Sequence, residues 1–581
     1  MLEKGAEMMQ NQEIARIFAE IAEMLAIQGE DQRRVLAYER AADAIGQLER
    51  DIVDMAREGT VTEIPGIGAT LAAKIDEFLT TGKLSLHERL KAEIPPGVVQ
   101  MLQIPDVGPK TAARMWKELG ITGVDELEQA AQAGRVQQLP RMGARKEAKI
   151  LEGIQIVRRR SGRTPLGVAW YLACDLLESL RQVPGVRQAE PAGSLRRMRD
   201  TVGDLDLLVA AEEAEPVMAC FRQLAQVAEV VQSGPTKTAI RARQGLQVDL
   251  RVVSQEQWGT ALQYFTGSQA HNVHLRGLAK GRGYSLSEYA LRRDDGTEIL
   301  CAQEEDVYRY LGMEWVPPEL REDRGEIDVA LSGDLPRLVE RADLKGDLQS
   351  HTTWSDGNQS VLEMAEAARL RGLRYILITD HSYGMGIAGG LHEADLAGQR
   401  AEIADANARL GDFTVLAGIE VEIRTDGALD FPDQVLAGFD IVVASMHSGL
   451  RTGRERTTQR ILAAIQNPHV DVIAHPTGRL IGHREGADLD MEAILQAAAQ
   501  AGTAIEINAY PDRLDLPDVY VRRAVQLGVT LAIDSDAHDA RDLDHLFFGV
   551  ATARRGWATP SDVVNTWELD KVLAWARARG R

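Results

Sequence analysis

The sequence predicts a multidomain chain of mixed class, α+β in its first half and α/β in its second. In order, the expected parts are a helical N-terminal domain of repeated hairpin units, a middle domain with strands that carry the acids, and a C-terminal β/α barrel. Three observations predict this. A Pro- and Gly-containing hairpin recurs ahead of helical stretches, paired aspartates interrupt an apolar run, and apolar β-like runs ending in His, Asp or Glu alternate with helical stretches. At 581 residues the chain is too long for one core. Apolar content of 44% and charged content of 26% are those of soluble globular proteins. A net charge of −21 argues against a uniformly basic surface but leaves room for a local basic channel. Cys174, Cys220 and Cys301 lie far apart without a Cys-x-x-Cys, which fits a reducing cytosol and excludes a thiolate zinc site. With no signal-like start and no long apolar span, the expectation is a cytoplasmic protein without a membrane contact.

Residues 11–58 read as helical, because Ile14, Ile17, Phe18, Ile21 and Leu25 recur at helix spacing, as do Val35, Tyr38, Ala41, Ala42 and Ile45. The repeat follows. Ile64-Pro65-Gly66-Ile67-Gly68 leads into a helix over 69–79, Ile104-Pro105-Asp106-Val107-Gly108 into 109–119, and Leu139-Pro140-Arg141-Met142-Gly143 into 144–154. Glycine permits the tight turn, and the following backbone N–H groups face outward, as a helix-hairpin-helix needs to grip DNA phosphates without reading sequence. Gly66, Gly68, Gly108 and Lys110 are the candidate DNA contacts. Lys74 is open to two readings, a Schiff-base lysine for an abasic sugar or a surface cation near phosphate.

Arg158-Arg159-Arg160 to Pro165 reads as a basic linker, and 166–180 as a helix. Gly193-Ser194 then forms a turn suited to a phosphate, with Arg196 and Arg197 as cationic partners. Asp204 and Asp206 follow two residues apart in a strand-like run with Leu205, Leu207, Leu208 and Val209, so their side chains share a face. Such paired acids call for a cation, and all-oxygen ligands favour Mg²⁺ or Mn²⁺. Asp249, in a second strand-like run over 247–253, completes a three-carboxylate site for two ions roughly 3.5–4 Å apart. Ordinary surface acids at a polar strand end are the competing reading, opposed by the turn, basic cluster, paired acids and third acid occurring together. After them come Tyr264-Phe265-Thr266-Gly267-Ser268, then Asn272 and Arg276 on a helix. This is a ring pair that can lie against a nucleotide sugar, or a core aromatic pair before a helix.

Residues 320–343 read as a linker, and nine of the twelve histidines lie beyond them. Apolar runs at 374–379, 414–419, 441–445, 470–474 and 529–533 end near His381, Glu420, His447, His475, and Asp536 with His538. Helical stretches at 361–371 and 492–501 alternate with them. Ligand-type residues at successive strand C-termini converge on a barrel mouth. This mixed N/O set suits zinc, manganese or iron. His392, His469, His483 and His545 lack that placement and read as surface or core residues.

Gly-Ser followed by Asp-x-Asp resembles the nucleotidyltransferase superfamily. With the hairpins, Arg197, Asp249, Tyr264–Ser268 taken as the pentapeptide 264–268, Asn272 and Arg276, residues 11 to about 320 resemble family X DNA polymerases of the polymerase beta type. The resemblance implies that Asp204, Asp206 and Asp249 bind two metals, that Gly193, Ser194 and Arg197 bind triphosphate, that Tyr264, Phe265 and Gly267 form the sugar-excluding segment, and that Asn272 and Arg276 contact nucleotide and template. Lys74 matches the family's lyase lysine, while Thr70 stands where a second lysine often occurs. The second half resembles a PHP (polymerase and histidinol phosphatase) domain. Matching ligand positions are His351, Asp356, His381, Glu420, His447, His475, Asp536 and His538, with Gln349 replacing the first histidine of His-x-His. Two or three Zn²⁺ or Mn²⁺ ions are implied, one of them held more weakly.

The resemblances imply residues 1–90 as an N-terminal DNA-binding domain, 91–160 as fingers with hairpin repeats, 161–260 as a palm with an antiparallel or mixed sheet, 261–320 as a thumb-like nucleotide-selection domain, 321–342 as linker and 343–581 as a PHP domain folded as a distorted β/α barrel. They imply a bacterial repair polymerase, monomeric and nucleoid-associated, that fills gaps in primer–template DNA with dNTPs and processes 3′ ends by 3′-5′ exonuclease action. Two rivals stay open. One is a nucleotidyltransferase acting on RNA or small molecules, the other a polymerase or DNA scaffold whose PHP domain is structural or weakly active.

Overall fold

The computed structural model describes residues 2–46, 52–64, 66–104, 107–140, 142–160, 163–385, 388–482 and 484–578. Pro65, Pro105, Asp106, Arg141 and His483 lie outside the described residues. The chain forms two compact units, residues 1–162 and 163–581.

The first unit is all helical. Helices Leu2–Gln28, Gln32–Gly46 and Ile52–Glu58 bury the apolar stripe anticipated from the spacing, including Ile14, Phe18, Ile21, Leu25, Tyr38 and Ile45. The hairpin then occurs three times with one construction. A 3₁₀ turn (Val61–Glu63, Met101–Gln103, Val136–Gln138) leads into a helix (Ala69–Thr81, Pro109–Leu119, Ala144–Arg160). Each hairpin is closed by the same backbone bond, donated by Ile67, Val107 or Met142 to the carbonyl of Ile64, Ile104 or Leu139 at 3.0 Å. Those six residues are buried and anchor the turns in the helical core. The third helix runs on to Arg160, so Arg158–Arg160 taken as 158–160 is helix rather than linker. Arginine has high helix propensity, which the charge pattern alone conceals.

The second unit holds the remaining parts. Its five-stranded mixed sheet has the order Val186–Pro191, Leu205–Ala211, Gln247–Val253, Lys237–Ala242, Val227–Ser233, with only the second and third strands parallel. Helices Leu166–Arg181 and Ala214–Gln223 cover one face through Leu172, Leu176, Leu180, Val217 and Phe221. Helices Trp258–Thr266 and Gln269–Gly281, a three-stranded antiparallel sheet and helix Glu304–Tyr310 follow.

The stretch 321–342 is not a linker. It forms helix Glu326–Ser332 and buries Arg321, Glu326, Ile327, Ala330 and Leu338 against the preceding helices. Its charges look like those of a linker in sequence, but several are paired inside. His271 Nδ1 meets Glu326 Oε1 at 2.7 Å, and Arg321 donates to Glu304 at 2.6 Å and to the Val316 carbonyl at 2.8 Å.

The last part is a barrel of seven parallel strands in chain order: Gly346–Asp347, Tyr375–Ile378, Thr414–Glu422, Ile441–Ser445, Val472–Ile473, Ala504–Asn508 and Leu531–Asp534. A parallel bridge between Ser350 and Ala537 brings first and last strands together. Five strands match the apolar runs seen in the sequence. Gly346–Asp347 and Ala504–Asn508 were not anticipated, one being two residues long and the other carrying Glu506 and Asn508 at its centre and end.

Glu304 is the junction of the middle region. Arg196 grips it at 2.8 and 2.9 Å, Arg321 at 2.6 Å and the Trp315 indole at 2.9 Å. Burial works to raise its carboxyl pKa, but Arg321 and Arg196 outweigh burial and hold it well below the carboxylate range. A depressed folded-state pKa contributes stability that is present above the unfolded value and lost as pH falls toward the folded one. Glu304→Gln should therefore cost about 3–5 kcal/mol near pH 7 in denaturant melts. The gap from the wild type should narrow as the pH falls below about 4.

Candidate active sites

The sheet brings the first group of acids together. Asp206 sits opposite Asp249 on the adjacent parallel strand, and Asp204, exposed, precedes the strand Leu205–Ala211 by one residue. Burial above all, then the charges of Asp204 and Asp249, push the Asp206 carboxyl up to about 7. Asp249 is held by Lys237 at 2.9 Å and Gln247 at 2.9 Å. Gly193 opens the short helix Gly193–Arg196 with φ +59, and a Cβ there would lie 2.2 Å from Asp206 Oδ2. Any other residue would strain the backbone and displace the acid. The donor set is all oxygen and carries excess negative charge, which fits a hard divalent cation such as Mg²⁺ or Mn²⁺. Among the described residues these acids do not form a group whose ligand atoms all lie within 4.8 Å of one another, as barrel residues do.

The other middle-domain candidates meet at the end of helix Trp258–Thr266. Arg197 Nη1 donates to the Thr266 carbonyl at 2.5 Å and its Nε to Glu322 at 3.2 Å. The rings of Tyr264 and Phe265 meet edge to face at 5.2 Å, and the Arg251 guanidinium lies 4.4 Å over Phe265. Gly267 follows at φ +68. Asn272 donates to the Tyr264 carbonyl at 2.7 Å and accepts from Gln263 at 2.8 Å, while exposed Arg276 reaches the Asn272 carbonyl at 3.3 Å. Ser194 is half-buried beside Gly193. Arg196 departs from expectation. Its guanidinium is committed to Glu304 and to Thr266 Oγ1 at 2.6 Å, because the fold buries it where only paired charge is tolerated. Glu304 and Glu322 have no local motif to announce them, since their partners are distant in sequence.

In the helical unit Gly66, Gly68, Gly108 and Lys110 are exposed. Gly66 takes φ +86. Gly68 and Gly108 begin their helices with matching backbones, φ −83 in each case with ψ 176 and 172. Lys74 donates to Glu77 at 2.6 Å, and that bond lowers the Glu77 carboxyl to about 2.

At the barrel mouth Glu420 is the hub. Its Oε2 lies 3.1 Å from Gln349 Nε2, 3.3 Å from His351 Nε2 and 3.3 Å from His381 Nδ1. Its Oε1 lies 3.1 Å from His475 Nε2 and 3.5 Å from His447 Nε2. Asp536 approaches His351 at 3.2 Å, and Asp356 stands 3.6 Å from His381 and 3.5 Å from His538. Three overlapping groups each have ligand atoms within 4.8 Å of one another: His351, Asp356, His381 and His538; His381, Glu420 and His447; His351, Glu420 and Asp536. Burial, with His351 beside it, drives the His381 imidazole down to about 4 against the pull of Glu420, so it is neutral at pH 7 with a lone pair to offer. Ring nitrogens of His351, His381 and His475 and the Gln349 Oε1 are buried without a hydrogen bond. Orphaned donors around buried carboxylates fit zinc or manganese. The Gln349 amide donates to Glu420 and Asp536, and a half-turn of it would present Oε1 as a neutral ligand.

Several residues of this centre were missed. Glu422 accepts from the His447 ring at 2.9 Å and backbone at 3.0 Å, fixing which nitrogen faces Glu420. Asn508 donates to Asp536 at 2.9 Å, Arg513 stands 3.8 Å from Asp536, and Glu506 accepts from the His475 backbone N–H. Glu422 was findable, being two residues from Glu420 on the same strand face. So was Glu506, a carboxylate between Ile505 and Ile507. His475 and Asp536 adopt φ of +25 and +53, unusual for non-glycine residues and typical of functional positions. His392 and His545 pack instead on Tyr383 and Tyr510, at ring distances of 5.3 and 4.9 Å.

Comparison with known proteins agrees with this arrangement. Residues 9–84 match the helix-hairpin-helix domain, 98–155 the SAM-like helix-hairpin-helix tandem, 261–322 the DNA polymerase beta thumb and 347–510 the PHP domain. The chain is similar to the DNA polymerase/3'-5' exonuclease PolX of Bacillus subtilis (strain 168), 38% identical over 572 residues, or 98% of this chain and 100% of that one. A probable phosphatase of Thermoanaerobacter sp. (strain X514) is 30% identical over 247 residues, 40% of this chain and 96% of its own. DNA polymerase lambda of Rattus norvegicus is 25% identical over 341 residues, 52% of this chain and 54% of its own. With hairpins, carboxylate-bearing sheet, thumb and barrel following one another over its length, the chain belongs to the bacterial family X DNA polymerases that carry a C-terminal PHP domain.

Proposed function

We propose that this chain fills short gaps in primer–template DNA with dNTPs and trims 3′ ends by 3′-5′ hydrolysis at a second centre. The observation that carries the first activity is Asp206, half-buried opposite Asp249 with Gly193 packed on its carboxylate. The primer 3′ oxygen bonds to the α-phosphorus as the bond to the β-phosphate breaks, and pyrophosphate leaves. Asp204, Asp206 and Asp249 hold Mg²⁺ or Mn²⁺, and Asp249 helps activate the 3′-OH. Gly193, Ser194 and Arg197 bind the triphosphate. Tyr264, Phe265 and Gly267 exclude a ribose hydroxyl, while Asn272 and Arg276 contact nucleotide and template. The bonds of Arg197 to Thr266 and Asn272 to Tyr264 support this, since they join phosphate-side and sugar-side residues in one framework. Gly66, Gly68, Gly108 and Lys110 hold the DNA backbone.

At the barrel, His351, Asp356, His381, Glu420, His447, His475, Asp536 and His538 hold Zn²⁺ or Mn²⁺ and the scissile phosphodiester is cleaved by water. When bound, divalent cations at either centre supply Lewis acidity that lowers a hydroxyl pKa and offsets phosphate charge. The likeness to the DNA polymerase/3'-5' exonuclease of Bacillus subtilis supports both activities. The orphaned ring nitrogens oppose a purely structural barrel, because leaving buried polar atoms unsatisfied is costly unless they serve a ligand. No helix among the described residues is long and apolar enough to cross a membrane.

Asp206→Asn should reduce primer extension on one-nucleotide-gapped duplex by on the order of 10²–10³ or more while the 3′-5′ nuclease rate of the same preparation stays near wild type. Extension at the wild-type rate would refute the assignment. Conversely, His538→Ala and Asp536→Ala should abolish 3′ degradation and spare gap filling. Gly193→Ala should retain the fold by circular dichroism yet lose extension, because its Cβ would occupy the place of the Asp206 carboxylate.

A further inference from the structure

The nucleotide-side arginine is fixed from the barrel. Arg555, the last residue of helix Leu546–Arg555, is 4% exposed. Its Nη1 donates to the backbone carbonyl of Arg197 at 2.6 Å and to Glu322 at 3.1 Å. Its Nη2 donates to Asp518, the first residue of helix Asp518–Leu527, at 2.7 Å. Glu322 in turn accepts from the Arg197 side chain at 3.2 Å. Arg555 thus holds Arg197 twice, directly through its peptide and indirectly through the carboxylate that orients its guanidinium. The two barrel helices are locked together here, since a Cβ on Gly556 would lie 2.2 Å from Val521. Burial acts to raise the Glu322 carboxyl, yet Arg197, Arg555 and Arg199 outweigh it and keep it ionised.

The contact belongs to a continuous junction. Ile481, Leu514, Phe548 and Ala551 of the barrel share one apolar core with the five-stranded sheet and its helices. Trp170 stacks obliquely on Phe547 at 4.8 Å, and Arg554 grips Glu319 at 2.7 Å. Only Arg555 reaches from this junction to Arg197 among the hydrogen bonds of the described residues.

We propose that Arg555 is a positioning residue for nucleotide binding: the barrel, through Arg555, Asp518 and Glu322, sets the pose of Arg197 at the polymerase centre. The proposal rests on the reading of Arg197 as a triphosphate ligand. A hydrogen-bonded guanidinium held by two partners needs no reorganisation when the triphosphate arrives, so loss of the tie raises KM for the nucleotide before it alters the chemical step.

The test measures kcat and KM for a single dNTP on one-nucleotide-gapped duplex, with 3′-5′ nuclease rate and thermal unfolding on the same full-length preparations. Arg555→Ala should raise the dNTP KM about tenfold or more with little change in kcat or in nuclease rate. Arg555→Lys, which keeps the charge on a single donor nitrogen and cannot span both acids and the carbonyl, should fall between. Arg554→Ala cuts the neighbouring ion pair without touching Arg197 and should leave KM within about twofold of wild type. A wild-type KM in Arg555→Ala, or an equal rise in Arg554→Ala, overturns the proposal. If Arg555→Ala does not fold, Arg555→Lys decides on the same criterion. Arg197→Ala separates the two layers: an unchanged KM there refutes the triphosphate reading itself, whereas a raised KM there with an unchanged one in Arg555→Ala refutes only the tie.

Discussion

The structure depends on where it tolerates uncompensated negative charge. Asp206 is half-buried beside the acids Asp204 and Asp249, and desolvation first, then the charges of those two acids, push its pKa up. A folded protein does not keep such an arrangement for stability, since burying like charges costs free energy. The surroundings maintain it by shape. The parallel pairing of two strands sets Asp206 against Asp249, and Gly193 closes on Asp206 where no side chain could fit.

The barrel solves the same problem with different donors. There a single carboxylate, Glu420, is ringed by imidazoles from successive strand ends, and burial keeps His381 neutral. Imidazoles outnumber carboxylates there, a softer donor set than the all-oxygen one of the sheet.

Elsewhere, buried charge is paired with care. Glu304 with Arg196 and Arg321, Glu326 with His271, and Glu322 with Arg197 and Arg555 are buried or half-buried, and each group joins separate elements of the fold. Buried pairs of this kind are weak sources of net stability but strict about geometry, because a misplaced partner leaves a charge stranded. They connect the five-stranded sheet, the helices after it and the barrel as one unit, which is why the stretch 321–342 behaves as core.

Local order was legible in the sequence. Helix and strand periodicities, the three hairpins, the paired aspartates and the histidines at strand ends depend on spacing within a few residues, and spacing is what a linear text records. Glu422 and Glu506 were legible too, had acids inside apolar strands been given the weight accorded to the histidines. Tertiary structure alone decided which charges were partners. Arg196 and Arg197 are adjacent and chemically identical, yet one is spent on Glu304 and the other on the Thr266 carbonyl and Glu322. Arg555 lies 358 residues from the carbonyl it holds. Electrostatic energy depends on distance and burial in three dimensions, and neither quantity exists until the chain has folded.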